Sequence, residues 1–252
     1  MTQDQWTGDQ RTGDQRPALR HLVALHGNFA SSAWWDDLRA SPPDGWTVHT
    51  PDLPGFAGTP HEGEVSIARY ADWLTGYVSD RFLGRPVLLG HSLGGAVALE
   101  AASRSPQSYA GLVLAASAPL GGLVTPEENY PVLELMTTDI RLLELSLSAL
   151  FPSGRPANFA RLVDHAARMA PALYSGNARA LAGWKVDAAA LAGLPVLVQG
   201  GQLDPLITPE MIRGQGGALG VPVKVHSGVG HGFPQEHPAA FLAELQPFLD
   251  RL

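Results

Sequence analysis

The sequence contains no cysteine, which removes disulfides, thiolate metal sites and cysteine nucleophiles together. Lysine is nearly absent as well: Lys185 and Lys224 stand alone among 17 basic residues. The remainder are arginines, a bias that carries no functional signal. Basic residues form no cluster and the formal net charge is −7, so neither a nucleic-acid surface nor an anionic-membrane surface is expected. No apolar run approaches the roughly 18 residues of a bilayer span. The segment 1–17 is polar and lacks a hydrophobic signal core. These absences lead to the expectation of a soluble, cytoplasmic protein without a membrane partner.

What is present fits an ordinary globular chain: 45% hydrophobic and 16% charged residues over 252 positions, enough for one sizeable core. The N-terminal segment holds a short direct repeat, Thr7-Gly8-Asp9-Gln10-Arg11 followed by Thr12-Gly13-Asp14-Gln15-Arg16. So short and polar a unit cannot build a solenoid, and residues 1–18 are expected to form a flexible polar tail. From residue 19 the pattern changes. Short apolar runs, each closed by a turn signal, read as buried strands at 22–25, 46–49, 86–90, 112–114, 195–198 and 221–225. Helical spacing at 31–39, 65–82, 94–104 and 238–252 alternates with them. That alternation predicts an α/β domain over 19–252: a mostly parallel sheet with helices on both faces.

The tract from about 120 to 185 breaks the rhythm. It has helical patterns at 132–150 and 158–169, prolines at 126, 131, 152, 156 and 171, and no strand-like run. A helical insertion at the C-terminal edge of such a sheet sits over the crevice where these folds bind ligands, so it is expected to act as a lid within the same domain.

The most specific chemical signal is Gly90-His91-Ser92-Leu93-Gly94, a G-x-S-x-G between a strand and a helix. A serine on that sharp turn needs small residues two positions either side. Its hydroxyl then projects from the sheet edge, beside the free N–H groups of the helix start. Ser92 is therefore the expected nucleophile, against the reading of a plain structural turn. Its base is expected to be His231, in the glycine-rich loop Gly228-Val229-Gly230-His231-Gly232 after the last strand. His226 at the strand end and His237 at a helix start have simpler structural readings. Asp204 follows the strand at 195–198 and is the expected acid that orients the base, although an aspartate before Pro205 also suits a turn. Asp187 precedes that strand, and Glu210 is explained by a helix start. Two N–H donors are needed for an oxyanion: Leu93 is expected to give one through its backbone. The other is assigned first to Asn28 in His26-Gly27-Asn28-Phe29, with Phe29 as the alternative.

Taken in order, His26-Gly27, Asp52-Leu53-Pro54-Gly55-Phe56-Ala57-Gly58-Thr59, Gly90-His91-Ser92-Leu93-Gly94-Gly95, Asp204 and Gly230-His231 resemble the successive signatures of the α/β-hydrolase superfamily. The likeness is to its small lid-bearing serine esterase, peroxidase-like and C–C hydrolase branch. The resemblance implies an acyl-enzyme on Ser92, with no metal and no organic cofactor. Haloalkane dehalogenase and epoxide hydrolase chemistry, which uses aspartate at the elbow in related members, is disfavoured. The family usually opens with an antiparallel strand pair, for which the segment before residue 19 is too short and polar, so the sheet is expected either to lack one or two edge strands or to take an irregular one from the tail. The apolar insertion, with Leu123, Leu133, Met136, Leu143 and Leu147 among its residues, favours a small or medium apolar ester as partner. Trp34 and Trp35 are further candidates to line the site. The same triad would also serve a perhydrolase, thioesterase, C–C hydrolase or cofactor-free oxygenase, and a slow-turnover or non-catalytic ligand receptor remains the reading from another class.

Overall fold

The computed structural model describes residues 20–252. The TGDQR repeat and the tail expected over 1–18 lie outside them. Six strands, β1 (Arg20–Leu25), β2 (Trp46–His49), β3 (Val87–His91), β4 (Gly111–Ala115), β5 (Val196–Gly201) and β6 (Val223–His226), form one sheet in the order β2-β1-β3-β4-β5-β6. Every neighbouring pair is parallel. The central strands β3 and β4 are buried along their whole length, as apolar runs covered on both faces must be. Among the described residues no strand precedes β1, and β2 lies at one end of the strand order.

The helices that cover the sheet are α1 (Asp36–Ala40), α2 (Ile67–Arg81), α3 (Leu93–Arg104), α8 (Pro209–Leu219), α9 (Phe233–Glu236) and α10 (Pro238–Leu249), with α4 to α7 in the insertion. In α2 the buried residues Ile67, Tyr70, Ala71, Leu74 and Val78 recur three and four apart and make one apolar stripe, and Ser66 caps its start by accepting from Arg69 N–H. The first expected helix, 31–39, begins as a 3-10 turn at Ser32–Trp35 capped by Ser31 and continues as α1. The segment from β4 to β5 carries α4 (Tyr130–Leu135), α5 (Ile140–Ser148), α6 (Phe159–Ala167) and α7 (Leu173–Gly183), with no strand among them.

Several boundaries differ from the sequence expectation for local reasons. The single helical pattern at 132–150 is two helices, because Asp139 starts a new one by accepting from Arg141 and Leu142 N–H. The last strand begins at Val223 rather than 221: Pro222 has no N–H to give a ladder, and Val221 N–H closes the end of α8 on Gly216. The strand expected to stop at 198 runs on to Gly201, paired residue for residue with β6.

Strand order fixes where a site belongs. The chain leaves β1 to build β2 on one side, then returns to place β3 on the other. The C-terminal ends of β1 and β3 thus flank the point at which the winding reverses, where sheets of this kind open a crevice. The loop 26–29 and the turn at Ser92 face each other there.

Candidate active site

Ser92 sits between β3 and α3 with φ 53 and ψ −118, a left-handed backbone in which a side chain costs about 1–2 kcal/mol. Hydrogen bonds on both sides hold it there: its N–H donates to Ala115 O at 3.2 Å, and its own carbonyl accepts from Gly95 N–H at 2.9 Å and from Ala118 N–H at 3.2 Å. The flanking glycines are required by close approach. A Cβ at Gly94 would stand 2.5 Å from His26 O and 2.7 Å from Leu25 O, so α3 could not lie so near β1 with any other residue. The turn therefore presses the Ser92 end of α3 against the start of the 26–29 loop.

His231 lies in the loop between β6 and α9, almost fully buried. Its Nδ1–H donates to Asp204 Oδ2 at 2.7 Å. Asp204 Oδ1 accepts from Leu206 N–H at 2.8 Å and Ile207 N–H at 2.9 Å. One oxygen of Asp204 thus closes the turn while the other meets His231. With Nδ1 carrying the proton, Nε2 of His231 keeps a free lone pair for a proton transfer. Asp187 instead caps the 3-10 turn at Ala188–Leu191, and Glu210 pairs with Arg213 on the surface of α8. His226 bonds Gln199 in the sheet, and His237 is exposed between α9 and α10.

Ser92 and His231 line one cavity of about 340 Å³, together with Asn28, Phe29, Trp34 and His91. Among the described residues Ser92 makes no hydrogen bond to His231. Such contacts often tighten only once substrate is seated. The remaining wall comes chiefly from the insertion: Leu123, Val132, Leu133, Met136, Leu143, Leu147, Leu150, Ala178 and Leu181. Of the two tryptophans considered from sequence, Trp34 reaches the cavity, whereas Trp35 packs against Phe241. Among the described residues no aspartate, glutamate, lysine or arginine lines it, so a charged substrate group would meet no opposite charge there.

Four residues that support this arrangement carried no assignment from sequence. His91 stacks on Trp34 at 4.4 Å, and its Nε2–H donates to the carbonyl of His231 at 2.9 Å. Burial, reinforced by the neighbouring His231, holds the His91 pKa well below the usual imidazole value, so it bears no charge beside His231. Glu236 accepts from Gly230 N–H at 2.7 Å and from Ser153, tying the His231 loop to the insertion. Asn177 donates to the side chain of Asn28, and Tyr70 in turn donates to Asn177. Only His91 lay inside a motif; the others meet the site through tertiary contact alone.

His26 opens the crevice loop. Its Nδ1–H donates to Gly27 O at 2.9 Å and its Nε2 accepts from Leu53 N–H at 3.0 Å. Burial lowers its pKa to about 4, although the bond to Gly27 and the charge of Asp52 pull the other way. The unfolded chain takes up this proton near pH 6.5 while the native state refuses it, so His26 adds stability above pH 6.5 that is lost progressively as pH falls toward 4. The full effect is about 3 kcal/mol. The urea midpoint is accordingly expected to fall between pH 7 and pH 5, a window above the titration of ordinary carboxylates. A midpoint that stays flat there would contradict a buried neutral His26.

Comparison with known proteins gives a consistent picture. A family model described as the Alpha/beta hydrolase family matches residues 22–245. The chain is similar to pimeloyl-[acyl-carrier protein] methyl ester esterases. It is 40% identical over 108 residues to the one from Aromatoleum aromaticum, covering 43% of this chain and 40% of that protein. To the one from Neisseria meningitidis serogroup B it is 34% identical over 114 residues, covering 45% and 42%. The match thus spans about two fifths of the length of these curated relatives. Among solved structures it is similar in fold to a thermophilic esterase from Thermogutta terrifontis, with TM-score 0.80 and 23% identity over 92% of this chain and 90% of that one. An N-acyl homoserine lactonase shares the fold at TM-score 0.75 and 24% identity, over 91% and 88%.

Proposed function

We propose, for a chain that belongs to the alpha/beta hydrolase family, the hydrolysis of small or medium apolar carboxylic esters through an acyl-enzyme on Ser92. The observation that carries this reading is the joint placement of Ser92, on its strained turn, with an Asp204-oriented His231 in the wall of one uncharged cavity. The names of the curated relatives support an ester as the bond broken.

In the proposed mechanism the Ser92 hydroxyl attacks the ester carbonyl while His231 Nε2 takes its proton. Asp204 keeps the proton of His231 on Nδ1 and stabilises the imidazolium that forms. The oxyanion faces the backbone N–H of Leu93, at the first position of α3, and that of Asn28, with Phe29 as the alternative donor. Neither Leu93 nor Asn28 N–H has a backbone acceptor among the described residues. His231 then protonates the leaving alcohol, and a water attacks the acyl-enzyme by the same route. The helices over about 120–185 act as a lid belonging to the same domain, and they supply the apolar surface that receives the acyl chain.

Initial rates on p-nitrophenyl acetate, butyrate and octanoate, set against the p-nitrophenyl monoester of succinate, test this directly. Neutral esters are expected to exceed the anionic one in kcat/KM by about 100-fold or more, since an unpaired buried carboxylate costs several kcal/mol. Equal rates on the anionic ester, or no turnover by folded protein, would overturn the proposal.

A further inference from the structure

Asn177 is a lone polar residue on the inner face of α7, fully buried, and 149 positions away in sequence from the loop it touches. Its Nδ2 donates to Asn28 Oδ1 at 2.8 Å, while its Oδ1 accepts from the hydroxyl of Tyr70 on α2 at 3.0 Å. The chain of donors runs one way, from Tyr70 through Asn177 to Asn28. Burial raises the Tyr70 pKa, so its hydroxyl stays a donor throughout the working range. Three residues earlier on the same helix face, Tyr174 meets the ring of Phe29 edge-on at 5.3 Å. One face of α7 therefore grips both side chains of the Asn28-Phe29 dipeptide.

That dipeptide needs holding. Phe29 has φ 54, a left-handed backbone without the excuse of glycine, and the direction of the adjoining N–H groups depends on keeping it. We infer that Asn177 is a positioning residue for the oxyanion site: it fixes the Asn28 side chain, and through it the backbone N–H aimed at the developing oxyanion. This inference rests on the ester-hydrolase reading and on placing the second oxyanion donor in the 28–29 loop. It also divides the insertion by role. Its α7 is a fixed strut of the catalytic site, since the buried stripe that carries the clamp also brings Ala178 and Leu181 to the cavity. Substrate pressed against that wall thus touches the element that sets the oxyanion geometry.

A double-mutant cycle separates this from a role in stability alone. The set is wild type, Asn177→Leu, Asn28→Ala, the double variant and the milder Tyr70→Phe, with Trp184→Phe as a control that loses a half-buried bond from the end of the insertion to Glu100 of α3. Each is assayed for kcat and KM on p-nitrophenyl butyrate, for inhibition by an aryl trifluoromethyl ketone that forms a tetrahedral adduct, and for melting temperature. A small misplacement of a catalytic group costs on the order of 100-fold. Asn177→Leu is therefore expected to lower kcat by about 10- to 100-fold with KM nearly unchanged, and to weaken the ketone by a similar factor. The double variant is expected to fall no further than either single one, because both break the same contact. Tyr70→Phe is expected to show a smaller loss of the same kind, and remains a test if Asn177→Leu does not fold. Trp184→Phe is expected to keep the wild-type kcat.

Unchanged kcat and ketone affinity in Asn177→Leu or Tyr70→Phe, losses that add in the double variant, or a lowered melting temperature as the sole effect would overturn the positioning role and leave the ester-hydrolase reading standing. A wild type that neither turns over esters nor binds the ketone would overturn both.

Discussion

Replacing Ser92 by alanine is expected to abolish ester turnover, a fall on the order of a million-fold in kcat, with the melting temperature unchanged. The magnitude follows from the chemistry: without the hydroxyl there is no acyl-enzyme, and only the oxyanion donors and binding remain to assist water. The preserved fold follows from the structure. Ser92 is held by its backbone, through Ala115, Gly95 and Ala118, and alanine keeps all of those bonds. Circular dichroism and initial rates on one preparation check both halves. An alanine variant that still turns over esters well above the uncatalysed rate would remove Ser92 from the mechanism.

The second large effect is expected for Asp204→Asn, a fall of about 10⁴-fold in kcat on a normally folded protein. The division of labour between the two carboxylate oxygens makes this substitution informative. An asparagine carbonyl can replace Oδ1 in accepting from Leu206 and Ile207, which preserves the turn. That leaves an amide NH₂ where Oδ2 had received the proton of His231. The imidazole must then accept at Nδ1 and carry its proton on Nε2, the nitrogen that has to take the proton of Ser92. It becomes a donor where a base is needed. Parallel kinetics and melting curves distinguish this from loss of the turn: a large fall in kcat at wild-type stability is expected, and a variant with near-wild-type kcat would mean that Asp204 serves the turn alone.

How far the sequence discloses this arrangement depends on the range over which each residue's constraints act. The turn at Ser92 is legible because its requirements are local: glycines at 90, 94 and 95, a strand before and a helix after, all within a dozen residues. The parallel sheet is legible for a related reason, since strands buried on both faces must read as apolar runs, as at 87–89 and 112–115. His231 and Asp204 emerge from chain order and loop position, which the resemblance supplies. The break between α4 and α5 is hidden because Asp139 interrupts a run of otherwise helical residues. Gly200 and Gly201 read as a turn, yet pairing with Val225 and His226 makes them strand. Asn177 is the least legible. Nothing in Leu173–Gly183, a helix rich in alanine and glycine with weak periodicity, distinguishes it from a solvated surface asparagine until the fold brings Asn28 and Tyr70 to it. Glu236 is hidden in the same way, its partners Gly230 and Ser153 being set by tertiary structure.

Whether Ser92 is an activated nucleophile in a cavity built for acyl transfer is read by treating the folded protein with a neutral alkyl fluorophosphonate and measuring its intact mass. One phosphonyl group per chain is the expected result, mapped by digestion to Ser92, with His231→Ala slowing its attachment steeply and Ser92→Ala preventing it. A folded wild type that stays unmodified, or a label that maps to another residue, would contradict that role for Ser92.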